Sequence, residues 1–386
     1  MFDSNVQIDI KETVFSVHEI REAIKALKSG KACGPDFLTA EHFKYAHESL
    51  YVLLSLCFTS MMIHCYLPDK LMENILIPVL KDKCGNVCDK SNYRPIALTN
   101  VSSKIIELCI LSRYDNLLHT SDNQFGYKEK HSTDLCIFAF KQIISYYRKR
   151  NSPIFICFLD ASKAFDKVNH SVLWKKLISK GIPLFIVKFL AFWYSHQTFC
   201  VRWGDTLSHS FLVTNGVRQG GILSPKLFNV YIDALCVKLT NSKIGCNFNG
   251  TFINNLAYAD DMTVIAPCAS ALQKLLNICD DFARRHDISY NVKKSVCMCI
   301  PTRKYKYSFQ PPKFFLNNVK LQYVENYRYL GCHIDKDFTD NIDLKRQLRS
   351  IYTRSNMLLR KFYMCSIEVK CILYRSYCTN FYCSQL

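Results

Sequence analysis

The stretch Leu256-Ala-Tyr-Ala-Asp-Asp-Met-Thr-Val-Ile265 sets two adjacent carboxylates inside an otherwise apolar, strand-forming run. Like charges side by side repel, and burying them is costly unless something positive holds them. The run reads as two short β segments flanking Ala259-Asp260-Asp261, a tight hairpin with the acids at its tip. The rest of the chain has to supply the positive partner.

A third carboxylate has a plausible meeting point with these two. Ile154-Phe-Ile-Cys-Phe-Leu159 is a continuous apolar, β-prone run that ends on Asp160. That is the pattern of a strand buried on both faces. A hairpin paired against such a central strand brings Asp160, Asp260 and Asp261 to one sheet edge. Three clustered carboxylates at neutral pH demand divalent cations, and oxygen ligands select hard ions, Mg²⁺ or Mn²⁺. Two such ions roughly 4 Å apart can clamp an in-line phosphoryl transfer, one at the attacking hydroxyl and one at the leaving pyrophosphate. Each piece also has a plain structural reading: an Asp-Asp pair in a turn is usually a solvated turn, and an acid at a strand end is often only a cap.

Composition narrows the partner. Fifty Lys and Arg against 32 Asp and Glu give a net charge of +18, which favours a polyanion, most simply nucleic acid. A basic soluble surface or an anionic membrane would satisfy the charge alone. The 20 cysteines lie scattered through apolar runs without a framework, as expected of reduced core thiols in an intracellular protein, nuclear or cytoplasmic. Cys84 and Cys88 have the spacing of half a zinc site, but no matching His or Cys pair lies nearby in sequence. The mixed, charged N-terminus is not a signal peptide. Residues 49–68 carry no Asp, Glu, Lys or Arg and are long enough to span a bilayer. Ser55, Thr59, Ser60 and His64 interrupt them, and a buried core helix is the expectation.

Helical spacing runs over 16–30, from about 37 to 66, and over 102–118, 171–180, 225–239 and 269–286, with a basic helical tail at 341–376. Strands are expected at 75–80, 199–203, 209–214 and 295–300, and a polar hairpin tip at 81–92. Strands and helices mix without a βαβ rhythm, so the fold class is α+β.

The order of the motifs adds a resemblance. Lys28-Ser-Gly-Lys-Ala-Cys-Gly-Pro-Asp36, Asn92-Tyr-Arg-Pro-Ile-Ala-Leu98, Gln124-Phe-Gly-Tyr127, Phe158-Leu-Asp-Ala-Ser-Lys-Ala-Phe-Asp166, Gly216-Val-Arg-Gln-Gly-Gly-Ile-Leu-Ser-Pro225, Tyr258-Ala-Asp-Asp261, Asn291-Val-Lys-Lys-Ser295 and Tyr329-Leu-Gly331 succeed one another along the chain. This series, from about residue 12 to 376, resembles the reverse transcriptase domain of non-LTR (LINE-like) retrotransposons. The resemblance implies a right-hand polymerase of fingers, palm and thumb, with an antiparallel palm sheet carrying the carboxylates. Fingers and an N-terminal extension, with part of the palm, would take 1–150. The catalytic palm would take 151–300, and the primer-grip region with a truncated thumb 301–386.

The implied activity is RNA-directed DNA synthesis from a primer 3′-OH with dNTPs, an RNA template, a DNA primer and two Mg²⁺ ions (Mn²⁺ as substitute). Asp160 and Asp260 would be metal ligands, with Asp261 beside them and the Ala161 carbonyl completing one shell. Phe165 would screen the sugar 2′ carbon, against the reading of a core aromatic. Gln219 and Gly220 would line the nucleotide and template pocket, Lys81 and Arg94 would hold the triphosphate, and Lys294 would meet the departing pyrophosphate. Tyr329-Leu330-Gly331 would grip the primer end. Lys345, Arg346, Arg349, Arg354, Arg360 and Lys361 would track the duplex along the thumb through phosphate contacts, and no membrane is implied. Asp166 is read as structural. The sequence departs from the family pattern at 128–132 and at Arg218, where proline or a similar residue is usual, and carries neither the endonuclease nor the Cys/His knuckle of full elements. The rival readings are an RNA-dependent RNA polymerase and a catalytically inactive RNA-binding relic of the same fold.

Overall fold

Ile154–Asp160 is a strand whose six apolar residues are all buried, with Asp160 half-buried at its end. It lies at the centre of a five-stranded sheet in the computed structural model, which describes residues 10–302 and 311–378. The strand order is Gln322–Tyr323, Val296–Ile300, Ile154–Asp160, Asp261–Ala266 and Asn255–Tyr258. Every neighbouring pair is antiparallel except Val296–Ile300 with Gln322–Tyr323. Alternation then sorts the side chains. Ile154, Ile156 and Phe158 face a core shared with Cys136, Ile137, Phe140, Ile143 and Ile144 of the Thr133–Lys149 helix. The helix Ala269–Arg285 packs on the same sheet through Leu272, Leu275, Leu276 and Cys279. A strand covered by helices on both faces has no use for polar alternation, which is why its sequence is uninterrupted.

This sheet belongs to the second of two compact units, built from Ser121–Ser162, Leu235–Arg285 and the described residues from Ser289 on. The first unit takes in the described residues up to Thr120, with Lys163–Ala234 and His286–Ile288. Its own sheet pairs Glu73–Leu80 antiparallel with Tyr93–Thr99 and parallel with Thr198–Trp203. The short strands Thr206–Leu207 and Phe211–Leu212 both pair with Thr198–Trp203. The polar tip expected at 81–92 is the connection between the first two strands. The mixed helix and sheet content agrees with the α+β reading.

Several elements differ from the sequence expectation. Thr133–Lys149 and Leu184–His196 are helices in segments without an expected element. The first begins at Ser132, whose side chain caps the Leu135 amide, and buries a stripe at helical spacing. The expected helix from 37 to 66 is broken into Ala40–Lys44 and Ser49–Ile63. The second of these is not a core helix. It buries Ser55, Phe58 and Met62 but exposes Val52, Leu53, Leu56 and Ile63. Among the described residues no helix is long and apolar enough to cross a membrane. The basic tail is two helices, Asn341–Lys361 and Ile367–Tyr377. The cysteines are free thiols among the described residues, and burial pushes that of Cys136 up to about 11.

The helix Val17–Ala26 shows how local and long-range contacts combine. Ser16 and Glu19 form a reciprocal capping box, and Arg113 reaches the same carboxylate from the Val101–Tyr114 helix. Burial alone would raise the Glu19 carboxyl, but hydrogen bonds from Arg113 and from the Ser16 amide and hydroxyl outweigh it. They hold the group at about 2, below its ordinary 4.5. A carboxyl depressed in the folded state adds stability above its unfolded pKa and loses it as pH falls through the folded value. Glu19→Gln should therefore lower the urea midpoint at pH 7. The deficit should shrink between pH 4.5 and about 2, and an equal deficit at pH 7 and pH 2.5 would contradict this account.

Candidate active site

The central strand and the hairpin bring the acids to the same end of the sheet. Asp261 is the direct antiparallel partner of Asp160, and beyond it Met262 pairs with Leu159 and Thr263 with Phe158. Cross-strand partners of this kind have Cβ atoms about 5 Å apart on one face, and like charges there are destabilising. Tyr258 pairs with Asp261, so Ala259 and Asp260 form a two-residue loop. Ala259 alone of the two has positive φ, 56°, the sign pattern of a type II′ hairpin turn.

Asp260 and Asp261 are exposed, contrary to the expectation that the pair is buried. The cost of the arrangement is thus repulsion across the strands rather than desolvation. Among the described residues no three His, Cys, Asp or Glu side chains are gathered closely enough to hold an ion. What the structure brings together is the pair Asp160 and Asp261, with Asp260 adjacent in the loop. An all-carboxylate donor set at a sheet end fits a hard divalent cation.

The turn carrying Asp260 is held by residues whose role the sequence did not disclose. Gln124 is fully buried. Its Oε1 accepts the amides of Gly126 at 2.9 Å and Ala259 at 3.0 Å, and its Nε2 donates to the Ala259 carbonyl at 3.4 Å. The Phe125 amide donates to the Ala257 carbonyl and the Ala257 amide to that of Asn123, so residues 123–125 run along the hairpin strand. A Cβ on Gly126 would stand 2.4 Å from the Ala259 nitrogen; only glycine permits that approach. A glutamine two residues before a glycine in Gln124-Phe-Gly126 is the one signal of this brace that the sequence carries.

Asp160 is braced from the other side. Its amide donates to Ser295 Oγ at 3.1 Å, and its carbonyl accepts the Asn291 amide at 2.8 Å. The Ser162 amide donates to the Ser289 carbonyl at 2.8 Å. These two backbone bonds flank the Ala161–Tyr290 bridge, which makes that pair the non-hydrogen-bonded kind. The Ala161 carbonyl is therefore not engaged by Tyr290. Lys294 is exposed on the turn after Asn291, its amide donating to the Asn291 carbonyl.

Tyr327 and Tyr329 pack beneath the acids. Tyr327 stacks on Phe158 at 4.1 Å. Its phenol is pushed up to about 12, by burial first and then by the negative charges of Asp261 and Asp160. Tyr329, expected at the primer, has its side chain in the core. It is 3% exposed, packs on Phe140 and Phe158, and shares a hydrogen bond with Cys136 Sγ at 3.3 Å. Only the tight turn at Leu330 and Gly331, between the strands Asn326–Tyr329 and Cys332–Asp335, is left to present a surface. On the helix Asn341–Lys361, Lys345, Arg349, Arg360 and Lys361 are exposed. Arg346 pairs with Asp343 at 2.9 Å, and Arg354 donates to the Tyr377 carbonyl at 3.3 Å.

The remaining expected residues lie in the first unit. Lys81 and Arg94 are exposed near the tip of the Glu73–Leu80 and Tyr93–Thr99 pair, and Lys81 Nζ donates to the Ser91 carbonyl at 2.8 Å. Three residues further along the strand, roughly 10 Å by the strand rise, the Ala97 amide donates to the Gln219 carbonyl at 2.7 Å. Gly220 comes next with φ 122°, and a Cβ there would meet the Ala97 oxygen at 2.7 Å. Gln219 Nε2 donates to Asp166 Oδ1 at 2.9 Å, so Asp166 holds the glycine-rich turn. Both line a cavity of about 220 Å³ with Leu76, Pro95 and Ala97. Phe165 stacks on Phe228 at 4.4 Å and 12°, half-buried.

Removing the Gln124 amide would strand two buried N–H groups, at about 1–3 kcal/mol by the usual desolvation penalty. Gln124→Ala and Gly126→Ala should both lower the urea midpoint, while Lys294→Ala, on an exposed turn, should leave it within about 0.5 kcal/mol of wild type. Equal effects from all three would contradict the reading of residues 123–126 as the brace of the acidic turn.

The model of the family described as reverse transcriptase (RNA-dependent DNA polymerase) matches residues 79–334, more than half of the chain. The chain is 25% identical over 373 residues to the RNA-directed DNA polymerase from mobile element jockey of Drosophila funebris, covering 93% of this chain and 40% of that protein. It is 25% identical over 378 residues to the probable RNA-directed DNA polymerase from transposon X-element of Drosophila melanogaster, covering 96% and 41%. With the Pol polyprotein of a type-1 R2 element from Popillia japonica it shares 29% identity over 281 residues, covering 69% and 38%. The chain thus spans about 40% of the length of these relatives. With the family model over most of its motifs and relatives from non-LTR retrotransposons, the chain belongs to the reverse transcriptase family.

Proposed function

We propose that this chain is the RNA-directed DNA polymerase portion of a non-LTR retrotransposon protein, extending a primer 3′-OH with dNTPs on an RNA template. The observation that carries the reading is the cross-strand pairing of Asp160 with Asp261, with Asp260 in the adjoining loop, in a chain whose family is reverse transcriptase. In this reading 1–150 serves as fingers and N-terminal extension with part of the palm. Residues 151–300 serve as the catalytic palm, and the chain from 301 on as primer grip and thumb.

Asp160 and Asp260 would hold Mg²⁺, with Asp261 alongside and the Ala161 carbonyl as a further oxygen donor. When bound, two such ions supply Lewis-acid activation of the primer hydroxyl and charge neutralisation at the leaving pyrophosphate. The chain's own residues do the rest. Arg94 offers a planar fork to phosphate oxygens and Lys81 a point charge. The Gln219–Gly220 turn presents backbone and amide to the nucleotide. Phe165 offers the ring that a ribose 2′-OH would meet. Lys294 supplies a proton or a positive charge to pyrophosphate. Because Tyr329 is a core residue, primer contact falls to the Leu330–Gly331 turn. The exposed lysines and arginines of the 341–361 helix take duplex phosphates without regard to sequence.

Purified protein with Mg²⁺, dNTPs and a primed RNA should yield cDNA. Asp260→Asn should cut synthesis by about a hundredfold or more, the scale of a misplaced reacting geometry, with RNA affinity unchanged. Full synthesis by that variant would refute the site. Salt-sensitive RNA binding with no incorporation in any divalent metal would favour the inactive relic, and a preference for NTPs an RNA polymerase. Phe165→Val should reduce the dNTP over NTP preference about tenfold, equivalent to about 1.4 kcal/mol of lost clash; an unchanged ratio would leave Phe165 a core aromatic.

A further inference from the structure

Arg218 departs from the family pattern, and its side chain does not face solvent. The guanidinium is 1% exposed and its Nη2 donates to Oε1 of Glu107, itself 2% exposed. It lies 4.4 Å from the Trp193 ring centroid and 5.4 Å from that of Tyr194, so aromatic faces supply part of the solvation that water no longer gives. The other Glu107 oxygen accepts the Ile222 amide at 2.7 Å. One buried carboxylate on the Val101–Tyr114 helix therefore holds both ends of the segment Arg218–Ile222, and the Gly221 amide closes it on the Arg218 carbonyl at 3.3 Å.

Gln219 is the side chain inside that clamp. Its carbonyl is fixed by the Ala97 amide and its Nε2 by Asp166. A buried ion pair is a poor source of stability, since removing two charges from water offsets most of their attraction. A planar guanidinium held by a carboxylate and laid against an indole is instead a source of direction. Arg218 Nε and Nη1 have no partner among the described residues, so the arrangement is not one that maximises hydrogen bonding.

The geometry points to Glu107 and Arg218 as a positioning pair that sets the Arg218–Ile222 turn and thereby aims Gln219 at the incoming nucleotide. Neither residue touches substrate in this account. The inference rests on the polymerase reading for its substrate, but the fixing of the turn can be read without turnover.

The test removes both charges together, because removing one strands the other in the core and threatens folding. Glu107→Leu/Arg218→Met should still fold, because both charges leave the core together, with its thermal midpoint lowered by no more than about 6 °C for the Ile222 amide that loses its acceptor. Hydrogen exchange of the amides at 217–222 should accelerate about tenfold or more, with the rest of the chain unchanged. In primer extension the KM for dNTP should rise about tenfold, while kcat and primer–template affinity stay within about twofold. Arg218→Lys keeps the charge but not the fork, and should shift exchange and KM the same way by about threefold. It decides the matter if the double variant does not fold. Wild-type exchange in the turn, or faster exchange with wild-type KM, overturns the proposal. Wild-type protein that incorporates no nucleotide overturns the polymerase reading and, with it, the assignment of nucleotide to the turn. The exchange arm then still decides whether the pair fixes the turn.

Discussion

Antiparallel pairing sets Asp160 opposite Asp261, and the geometry of the acidic site derives from that register. Side chains alternate with period two along a strand, so a slip of one residue would send one acid to the other face. Buried partners further along the two strands, apolar but for Thr263, fix the register. Met262 pairs with Leu159, Thr263 with Phe158 and Val264 with Cys157, all buried. Hydrophobic packing therefore forces two like charges together at the one end of the sheet where the strands run out. The fold tolerates there a repulsion that a bound cation would turn into attraction.

Both turns bearing expected site residues share a construction principle. The Ala259–Asp260 loop is held by a buried side-chain amide, Gln124, and the Arg218–Ile222 turn by a buried carboxylate, Glu107. In each case one polar side chain from elsewhere in the chain accepts from the turn, Gln124 from the Ala259 amide and Glu107 from Arg218 and the Ile222 amide, and a glycine allows backbone to approach backbone. Tight turns held this way lose little further entropy when they meet a ligand. Each turn is also vulnerable to loss of its single polar support, which would leave buried donors unpaired.

Much of the acidic site was legible in the sequence because its signals are local. An unbroken apolar run ending on Asp160 has the pattern of a central strand, and a two-residue break in LAYADDMTVI marks a hairpin. What stayed hidden depends on contacts between distant segments. Gln124 and Glu107 are ordinary polar letters until their partners, 135 and 111 positions away, are known. Tyr329 belongs to a motif, yet its ring is drawn into the core by Phe140 and Phe158. The apolar 49–63 helix could not be told from a core helix by composition, because only the fold decides which of its faces is covered. The helix Thr133–Lys149 does carry a local signal, since its buried residues Cys136, Ile137, Phe140, Ile143 and Ile144 recur at helical spacing. Aromatic and β-branched residues crowd that stretch and blur the period.

Thermal unfolding of wild type and Asp261→Asn, with chelator and with Mn²⁺, decides whether packing holds two carboxylates in a mutual repulsion that a divalent cation relieves. Neutralising one acid should make the metal-free protein more stable than wild type, and Mn²⁺ should raise the wild-type midpoint more than that of the variant. A variant less stable than wild type in chelator, with the same Mn²⁺ response, would contradict the account.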